Sequence, residues 1–266
     1  MCSSVLTYRE LNNLAVWNNM QTITLEQMSG VKLMNRIDTK YVLSESDVLA
    51  LLDELQGEDY RVQVLGDVRA ARYDTLYYDT VERDMYLVHH NRQLCRQKIR
   101  TRVYVESNIA FLEVKNKSNR GRTKKRRTAI GCEELADFSG NVPAVDFLCA
   151  NSHYDYAQLL PALATRFIRV TLVNPHLTER VTIDLSLCYE DVRSHTTFSI
   201  PGMAIVELKQ DGKTISTVKR IMRDMCIMPL KVSKYCLGTA LTVDGIKKNR
   251  FKLKIRDIEK CLTQKA

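Results

Sequence analysis

The chain has 266 residues, of which 45% are hydrophobic, and a formal net charge of +9. It can therefore bury one large core or two small ones. Its charge favours an anionic partner such as a nucleotide, polyphosphate, nucleic acid or membrane surface, without choosing among them. No apolar run approaches the ~20 residues of a membrane-spanning helix, and no signal pattern opens the chain.

The eight cysteines form no CxxC pair and show no zinc-ligand spacing with the five histidines. Several lie in apolar segments, which is typical of reduced thiols in a protein core. We therefore expect a cytoplasmic protein without a zinc site.

The first part of the chain predicts a helical or irregular segment of ~30 residues, followed by a strand and a helix. From Lys32 to Leu43, charged residues alternate with apolar or β-branched ones, which predicts a strand with one charged face. Ser44 is the expected N-cap of the helix, and Gly57 is expected to end it.

The stretch from Arg96 to Arg127 carries the strongest pattern. Its first half alternates with period two, so basic side chains share one face of a strand and apolar ones the other. After a turn at Glu106-Ser107-Asn108, a second strand continues the charged face, and a further basic run closes the stretch. Like charges opposite each other destabilise a hairpin, so this charged wall requires either solvent or a counter-charge.

The rest of the chain alternates between helical and strand patterns. Residues 133–158 predict a helical cover, and strands with one charged face return at 167–172, 180–187 and 204–209. A basic amphipathic helix is predicted at 246–260. No linker divides these elements, so one α+β domain covering the whole chain is the simplest interpretation.

The recurring charged faces allow two geometries. If they looked outward, the sheet would be half-exposed, with acids and bases evenly mixed. Bases predominate instead, and Glu113 and Glu207 each lie two residues before a lysine on the same face. The alternative is an antiparallel β-barrel with apolar faces outward under helices and a basic lumen. Enclosed, unpaired charges are costly, so such a lumen must hold an anion or water.

The strand motifs resemble, in order, those of the VTC polyphosphate polymerase domain, a family within the triphosphate tunnel metalloenzymes. They are Arg36-x-Asp38-x-Lys40-Tyr41-Val42, Thr75-Leu76-Tyr77-Tyr78-Asp79-Thr80, Lys98-x-Arg100-x-Arg102-x-Tyr104, Leu112-Glu113-Val114-Lys115, Gly121-Arg122-Thr123-x-Lys125-Arg126, Arg169, Arg180-Val181-Thr182-Ile183-Asp184, Val206-Glu207-Leu208-Lys209 and Lys231-x-Ser233-Lys234-Tyr235. The resemblance implies a single tunnel domain over residues 1–266 with its core at about 32–238. The N-terminal segment and the basic C-terminal helix would be peripheral.

The resemblance also implies which residues hold phosphate. The catalytic candidates are Lys40, Arg100, Arg102, Lys115, Arg169, Arg180 and Lys234. The further phosphate-binding candidates are Lys98, Lys117, Lys125, Arg126 and Lys209. Within the run 124–126 the assignment is open by one residue, because adjacent basic side chains compete for the role. Glu207 matches the family's metal-binding glutamate, which implies Mn²⁺ or Mg²⁺ as the cofactor. For Asp184 and Glu113 two roles are open, metal binding and pairing with tunnel cations, and the ion pair is the simpler interpretation.

The implied activity is transfer of the ATP γ-phosphate to a growing polyphosphate chain, with ATP and polyphosphate as partners. Two alternatives stay open: a metal-dependent inorganic or nucleoside triphosphatase, and a non-catalytic binder of polyphosphate or nucleic acid. No specific nucleic acid is expected. Hydrolase branches open with ExExK, whereas this chain has Arg36-x-Asp38-x-Lys40, which favours the polymerase branch. Neither the SPX sensor nor the transmembrane helices of fungal members are evident, which implies a bare prokaryotic-type domain.

Overall fold

A single curved sheet, flanked by helices, dominates the computed structural model. The structure describes residues 5–30, 36–212 and 215–263. The start of the strand predicted from Lys32 therefore lies outside the described residues. Apart from one short parallel pair, neighbouring strands run antiparallel, and the predicted α+β class is confirmed.

The described part of the chain contributes an 11-stranded sheet. Its strands are β1 (Thr22–Ile23), β2 (Arg36–Ser44), β3 (Arg61–Gln63), β4 (Ala70–Asp79), β5 (Arg96–Tyr104), β6 (Ile109–Lys117), β7 (Thr123–Ile130), β8 (Leu160–Val173), β9 (Glu179–Asp191), β10 (Thr197–Ser199) and β11 (Met203–Asp211). The main path runs β2-β11-β9-β8-β4-β5-β6-β7. β2 and β7 end this path, and no pairing joins them among the described residues.

The helices surround this sheet. They are α1 (Tyr8–Asn12), α2 (Glu45–Gly57), α3 (Asp84–His90), α4 (Val142–Asn151), α5 (Thr217–Asp224), α6 (Lys234–Thr242) and α7 (Asn249–Thr263). Ser44 caps α2 as predicted, because its Oγ accepts from the Asp47 backbone N–H at 3.1 Å. The predicted basic C-terminal helix is α7. Over the described residues, none of the helices has both the length and the apolar character needed to cross a bilayer.

The apolar face of the sheet turns outward and is covered by helices. Side chains alternate across a strand, so one face of β9 and β11 is apolar except at one end, where Glu179 lies opposite Gln210. There Ile183 and Val206 pack with Leu51 of α2 and Ile221 of α5 in a buried core. The N-terminal segment, which the sequence placed at the periphery, adds the fully buried Leu11 to this core.

The charged face of the sheet is concave. Glu207 on β11 and Lys115 on β6 lie near opposite ends of the strand path. Burial lowers the pKa of Lys115, and the negative charge of Glu207 opposes that shift, so the two side chains are close in space. Lys40 on β2 is likewise close to Lys98 on β5, because the positive charge of Lys40 adds to the effect of burial in lowering the pKa of Lys98. The predicted tunnel is therefore present, although β2 and β7 do not seal it with hydrogen bonds.

Helix α6 packs against β8 and β9 at one end of this tunnel. Its Gly238 lies so close to Tyr189 and Leu163 that an added Cβ would be 2.5 Å from the Tyr189 ring. Ser233 caps the helix, and its Oγ also accepts a hydrogen bond from Lys98 Nζ at 2.7 Å. The N-terminus of α6 thus meets the tunnel wall at Lys98.

Candidate active site in the tunnel

Basic side chains from most strands line the concave face. They are Lys40 on β2, Lys98, Arg100 and Arg102 on β5, Lys115 on β6, Lys125 on β7, Arg169 on β8, Arg180 on β9, Lys209 on β11 and Lys234 at the start of α6. Strand register explains the convergence, because directly opposite residues on paired strands point to the same side. The carboxylates on this face are fewer: Glu113, Asp184 and Glu207, with Asp38 at the exposed edge and Asp211 at the end of β11.

The strands β5, β6 and β7 arrange their charges in rows. Lys98 lies opposite Lys115, and Lys115 lies opposite Lys125. In the next row, Arg100 lies opposite Glu113. Rows are two residues apart along a strand, which is about 7 Å. The charged hairpin identified in the sequence is therefore one wall of the tunnel, with β7 as its third strand.

Glu113 is neutralised by cations of this wall. Arg100 Nε donates to Glu113 Oε2 at 2.7 Å, and Lys125 Nζ lies 2.5 Å from Oε1. The carboxylate side chain is only 2% exposed. Burial opposes its ionisation, but the charges of Arg100 and Lys125 outweigh burial and lower the pKa of Glu113 to about 2. Glu113 is thus committed to ion pairs, in agreement with the simpler of its two predicted roles.

Asp184 is held still more tightly. Arg169 makes a two-point contact with it, from Nε to Oδ1 at 2.5 Å and from Nη2 to Oδ2 at 2.8 Å. Lys234 Nζ also donates to Oδ2. The side chain is 1% exposed, and the charges of Arg169 and Lys234 overcome burial and hold the pKa of Asp184 well below its usual range. A two-point guanidinium contact fixes orientation, so Asp184 positions a tunnel arginine.

Glu207 differs from both of these carboxylates. Its nearest cations are Lys209 Nζ at 3.5 Å and Lys40 Nζ at 3.8 Å, which are longer than hydrogen bonds. The side chain is 17% exposed within the tunnel. Burial opposes ionisation, but the charges of Lys40 and Lys209 lower the pKa of Glu207 well below its usual range. Glu207 is therefore an ionised carboxylate whose oxygens can reach a ligand.

The donor set around Glu207 fits a metal that arrives with phosphate. Mg²⁺ prefers oxygen ligands and is usually bound through one or two carboxylates together with substrate phosphates and water. Within the described ranges, no cluster of three or more His, Cys, Asp or Glu residues is arranged to hold a metal. Glu207 would supply one carboxylate ligand, and phosphate oxygens and water would supply the others.

Three tunnel lysines have pKa values that are lowered toward neutral pH. Burial lowers the pKa values of Lys125, Lys209 and Lys234 to about 8 in each case. Their carboxylate partners oppose the shift, and the neighbouring arginines add to it. Burial is the largest cause of the shift, and the excess of positive charge adds to it, which an added anion would relieve.

Aromatic rings hold two arginines of the tunnel. The Arg169 guanidinium carbon lies 4.9 Å from the centre of the Tyr73 ring and 5.3 Å from that of Phe167. The Arg102 guanidinium carbon lies 5.4 Å from the Tyr73 ring centre. Cation–π contacts of this kind restrict the guanidinium planes without neutralising their charge. Neither ring was among the predicted site residues.

Tyr77 lies beside Arg100. Arg100 Nη1 donates to the Tyr77 hydroxyl at 3.2 Å. Burial opposes ionisation of the phenol, but the charges of Arg100 and Arg102 outweigh it and lower the pKa of Tyr77 to about 8. The period-two alternation of Tyr73, Thr75 and Tyr77 in β4 is the sequence signal that identifies these wall residues.

Two predicted phosphate-binding residues lie away from the tunnel centre. Arg126 points to the outer face, where its Nη1 donates to Asn151 Oδ1. Adjacent strand residues point to opposite faces, so the open choice within 124–126 falls on Lys125. Lys117 is on the inner face, but it lies at the strand end opposite Arg96, one row beyond the others. The structure brings the remaining predicted residues together.

Several solved structures resemble the chain at low sequence identity. A candidate adenylate cyclase from Bacillus halodurans has a TM-score of 0.49 and 15% identity, covering 82% of this chain and 100% of its own. One from Vibrio parahaemolyticus has a TM-score of 0.47 and 13% identity, covering 77% and 99%. A Hippeastrum protein, whose description reports a dominant triphosphatase activity, has a TM-score of 0.49 and 12% identity, covering 79% and 98%.

The family comparison is more direct. No curated protein sequence matches the chain. The family model of the VTC domain matches residues 35–243, which include the tunnel strands from β2 to β11 and the whole of α6. The chain therefore belongs to the VTC domain family.

Proposed function

We propose that this protein is an ATP-dependent polyphosphate polymerase, which transfers the γ-phosphate of ATP to a growing polyphosphate chain inside the cationic tunnel. The observation that carries the proposal is the difference in surroundings among three interior carboxylates. Glu113 and Asp184 are buried in short ion pairs, whereas Glu207 keeps accessible oxygens and meets Lys209 and Lys40 only at 3.5 and 3.8 Å. This combination suits a metal bound beside polyphosphate.

The tunnel cations have two tasks in this reaction. Cations on facing walls, such as Lys40 and Lys115, hold the triphosphate from both sides and restrict its rotation. Arginines fixed by partners, such as Arg169 with Asp184, present their remaining N–H groups at set positions. In phosphoryl transfer most of the catalytic effect comes from such positioning and from neutralisation of oxygen charge.

The transfer itself needs no general base. A terminal phosphate oxygen of the chain, already ionised, attacks the γ-phosphorus in line with the leaving group. The bond from the γ-phosphorus to the β,γ-bridging oxygen breaks, ADP leaves, and the chain gains one phosphate. A divalent ion held by Glu207 would neutralise charge on the phosphate oxygens when bound. Arg100, Arg102 and Arg169 stabilise the charge that remains on the transferred group and on ADP.

A triphosphatase would use the same tunnel with water as the acceptor. Water, unlike phosphate, must lose a proton during the attack, which favours a site with a second free carboxylate. Glu113 and Asp184 are both occupied by cations, and Asp38 lies at the exposed edge. These features support a phosphate acceptor over water.

The activity can be tested by incubating the protein with ATP and Mn²⁺ or Mg²⁺ and resolving the products by gel electrophoresis. A polymerase yields a ladder of long phosphate chains and ADP. Orthophosphate without chains would contradict the proposal and favour the triphosphatase. Absence of any turnover, with steep salt-dependent DNA binding that triphosphate does not displace, would favour a non-catalytic nucleic-acid binder.

A further inference from the structure

A cavity of about 640 Å³ lies beside the end of the tunnel where α6 packs. Its lining includes four basic residues at the ends of β5, β6 and β7: Arg96, Lys117, Arg122 and Lys124. The tight turn between β6 and β7 sets the position of Arg122, since Ser118 N–H donates to Arg122 O at 2.9 Å. The cavity is therefore a basic feature of the strand ends and lies outside the tunnel centre.

Two further lysines extend this surface toward the C-terminal helix. Lys254 of α7 donates from Nζ to the backbone carbonyl of Lys231 at 2.8 Å. Lys231 is also close to the cavity, because its charge, after burial and Arg96, lowers the pKa of Lys117. We call these six residues the outer basic groove: Arg96, Lys117, Arg122, Lys124, Lys231 and Lys254.

Two members of the outer basic groove, Arg96 and Lys117, continue the rows of the tunnel wall, whereas Lys124 points to the opposite face of β7. The row of Lys98, Lys115 and Lys125 lies in the tunnel, and Arg96 and Lys117 form the next row outward, about 7 Å away. A chain of phosphates that passes the first row meets the second without leaving the strands. A ligand as short as triphosphate need not reach it.

The balance of charge also changes along these rows. Arg100 in the inner row is paired with a carboxylate. None of the six groove residues forms an ion pair with a carboxylate anywhere in the described residues. Clustered cations without counter-charges repel one another and favour a polyanion.

We propose that the outer basic groove is a second binding site, which holds the part of a polyphosphate chain that extends beyond the tunnel. The inference rests on the proposed polyphosphate chemistry of the tunnel. The consequence is a protein whose affinity rises with chain length, because a long chain occupies tunnel and groove together. The lining of the cavity also includes two rings, Tyr154 and His153, so competition by nucleic acid, in which bases stack on such rings, is one outcome of the test.

The test compares tripolyphosphate with long-chain polyphosphate in equilibrium binding at constant ionic strength. The groove variant carries Arg122→Gln, Lys231→Gln and Lys254→Gln, none of which touches the tunnel interior. The control variant carries Arg9→Gln, Lys219→Gln and Arg223→Gln, which remove the same charge on other parts of the surface. Circular dichroism checks that both variants keep the fold.

We expect the groove variant to bind the long chain about tenfold more weakly, equivalent to about 1.4 kcal/mol. Its affinity for tripolyphosphate should stay within about twofold of the original protein, and the control variant should match the original protein for both ligands. Equal losses in both variants would overturn the inference in favour of a net-charge effect. Equal affinity of the original protein for short and long chains would overturn it as well.

Two further outcomes separate this inference from the proposed function. Failure of the original protein to bind tripolyphosphate would contradict the tunnel function and, with it, the groove. Competition by single-stranded DNA as effective as that by long polyphosphate would overturn only the groove inference, and would indicate a general nucleic-acid surface.

Discussion

Asp184 and Glu207 lie on neighbouring strands of the same wall, yet their ion-pair partners and distances differ. Asp184 is enclosed by a two-point arginine contact and a lysine, whereas Glu207 has only cations at 3.5 and 3.8 Å. Both strands carry acids on the inner face, but the first acid balances charge within the protein. The second leaves its oxygens for a ligand. The tunnel thus combines a part in which acids and bases pair closely with a part of excess positive charge, which we propose binds anions.

The largest expected effect is loss of stability on replacing Asp184 with Asn. Removal of the carboxylate leaves Arg169 and Lys234 buried without a counter-charge, which should cost about 3–5 kcal/mol of unfolding free energy. Urea denaturation measures the change. The matched control is Glu207→Gln, which should cost about 1 kcal/mol because its ion pairs are long and partly exposed. Equal losses in the two variants would remove the distinction between the two acids.

The second effect concerns catalysis. Glu207→Gln should lower metal-dependent turnover about a hundredfold or more, since the metal loses its carboxylate ligand. ATP binding should be partly retained, because the tunnel cations are unchanged. Turnover is followed by ADP release, and ATP affinity by calorimetry without metal. Turnover equal to that of the original protein would refute the metal role of Glu207.

The third effect is a loss of anion affinity at alkaline pH. Lys125, Lys209 and Lys234 have pKa values of about 8, against about 10.5 for a free lysine. Bound anion favours the protonated lysines, so binding takes up protons above pH 8 and weakens as pH rises. We expect an affinity for tripolyphosphate about tenfold lower at pH 9.5 than at pH 7.

The same lysines affect the stability of the ligand-free protein in the opposite sense. Between about pH 8 and pH 10.5 the unfolded chain holds protons that these folded-state lysines have lost, so their contribution to stability rises with pH. A Lys125→Gln variant serves as the control for binding and should show a shallower pH dependence. An affinity that does not change between pH 7 and pH 9.5 would contradict the lowered pKa values.

Much of the fold could be predicted because the charged strand faces have a clear period of two. The Ser44 cap, the β5–β6 hairpin and the basic helix α7 follow from local patterns alone. Helix α6 was not predicted, since the motif at 231–235 resembles a strand pattern and only packing against β8 and β9 shows its role.

The details of the site depend on contacts that no local pattern encodes. Four consecutive residues of β7, from Lys124 to Arg127, are basic, so their sequence shows no alternation between the two faces of the strand. Only the pairing with β6 distinguishes Lys125 from Arg126. The bulge in β9, with Ser186 at a φ of +51°, shifts the register next to Asp184. The contact between Asp184 and Lys234 joins residues far apart in the chain. The choice of which acid stays accessible therefore comes from tertiary structure.

The most direct test of an anion-binding tunnel is thermal denaturation with and without tripolyphosphate. Because the anion relieves repulsion only in the folded state, a concentration of 100 times Kd should add about 2.7 kcal/mol of stability. That corresponds to a rise in melting temperature of roughly 5 °C or more, beyond the effect of sulfate at equal ionic strength. No shift at millimolar tripolyphosphate would contradict the account and indicate that the charged faces merely contact solvent.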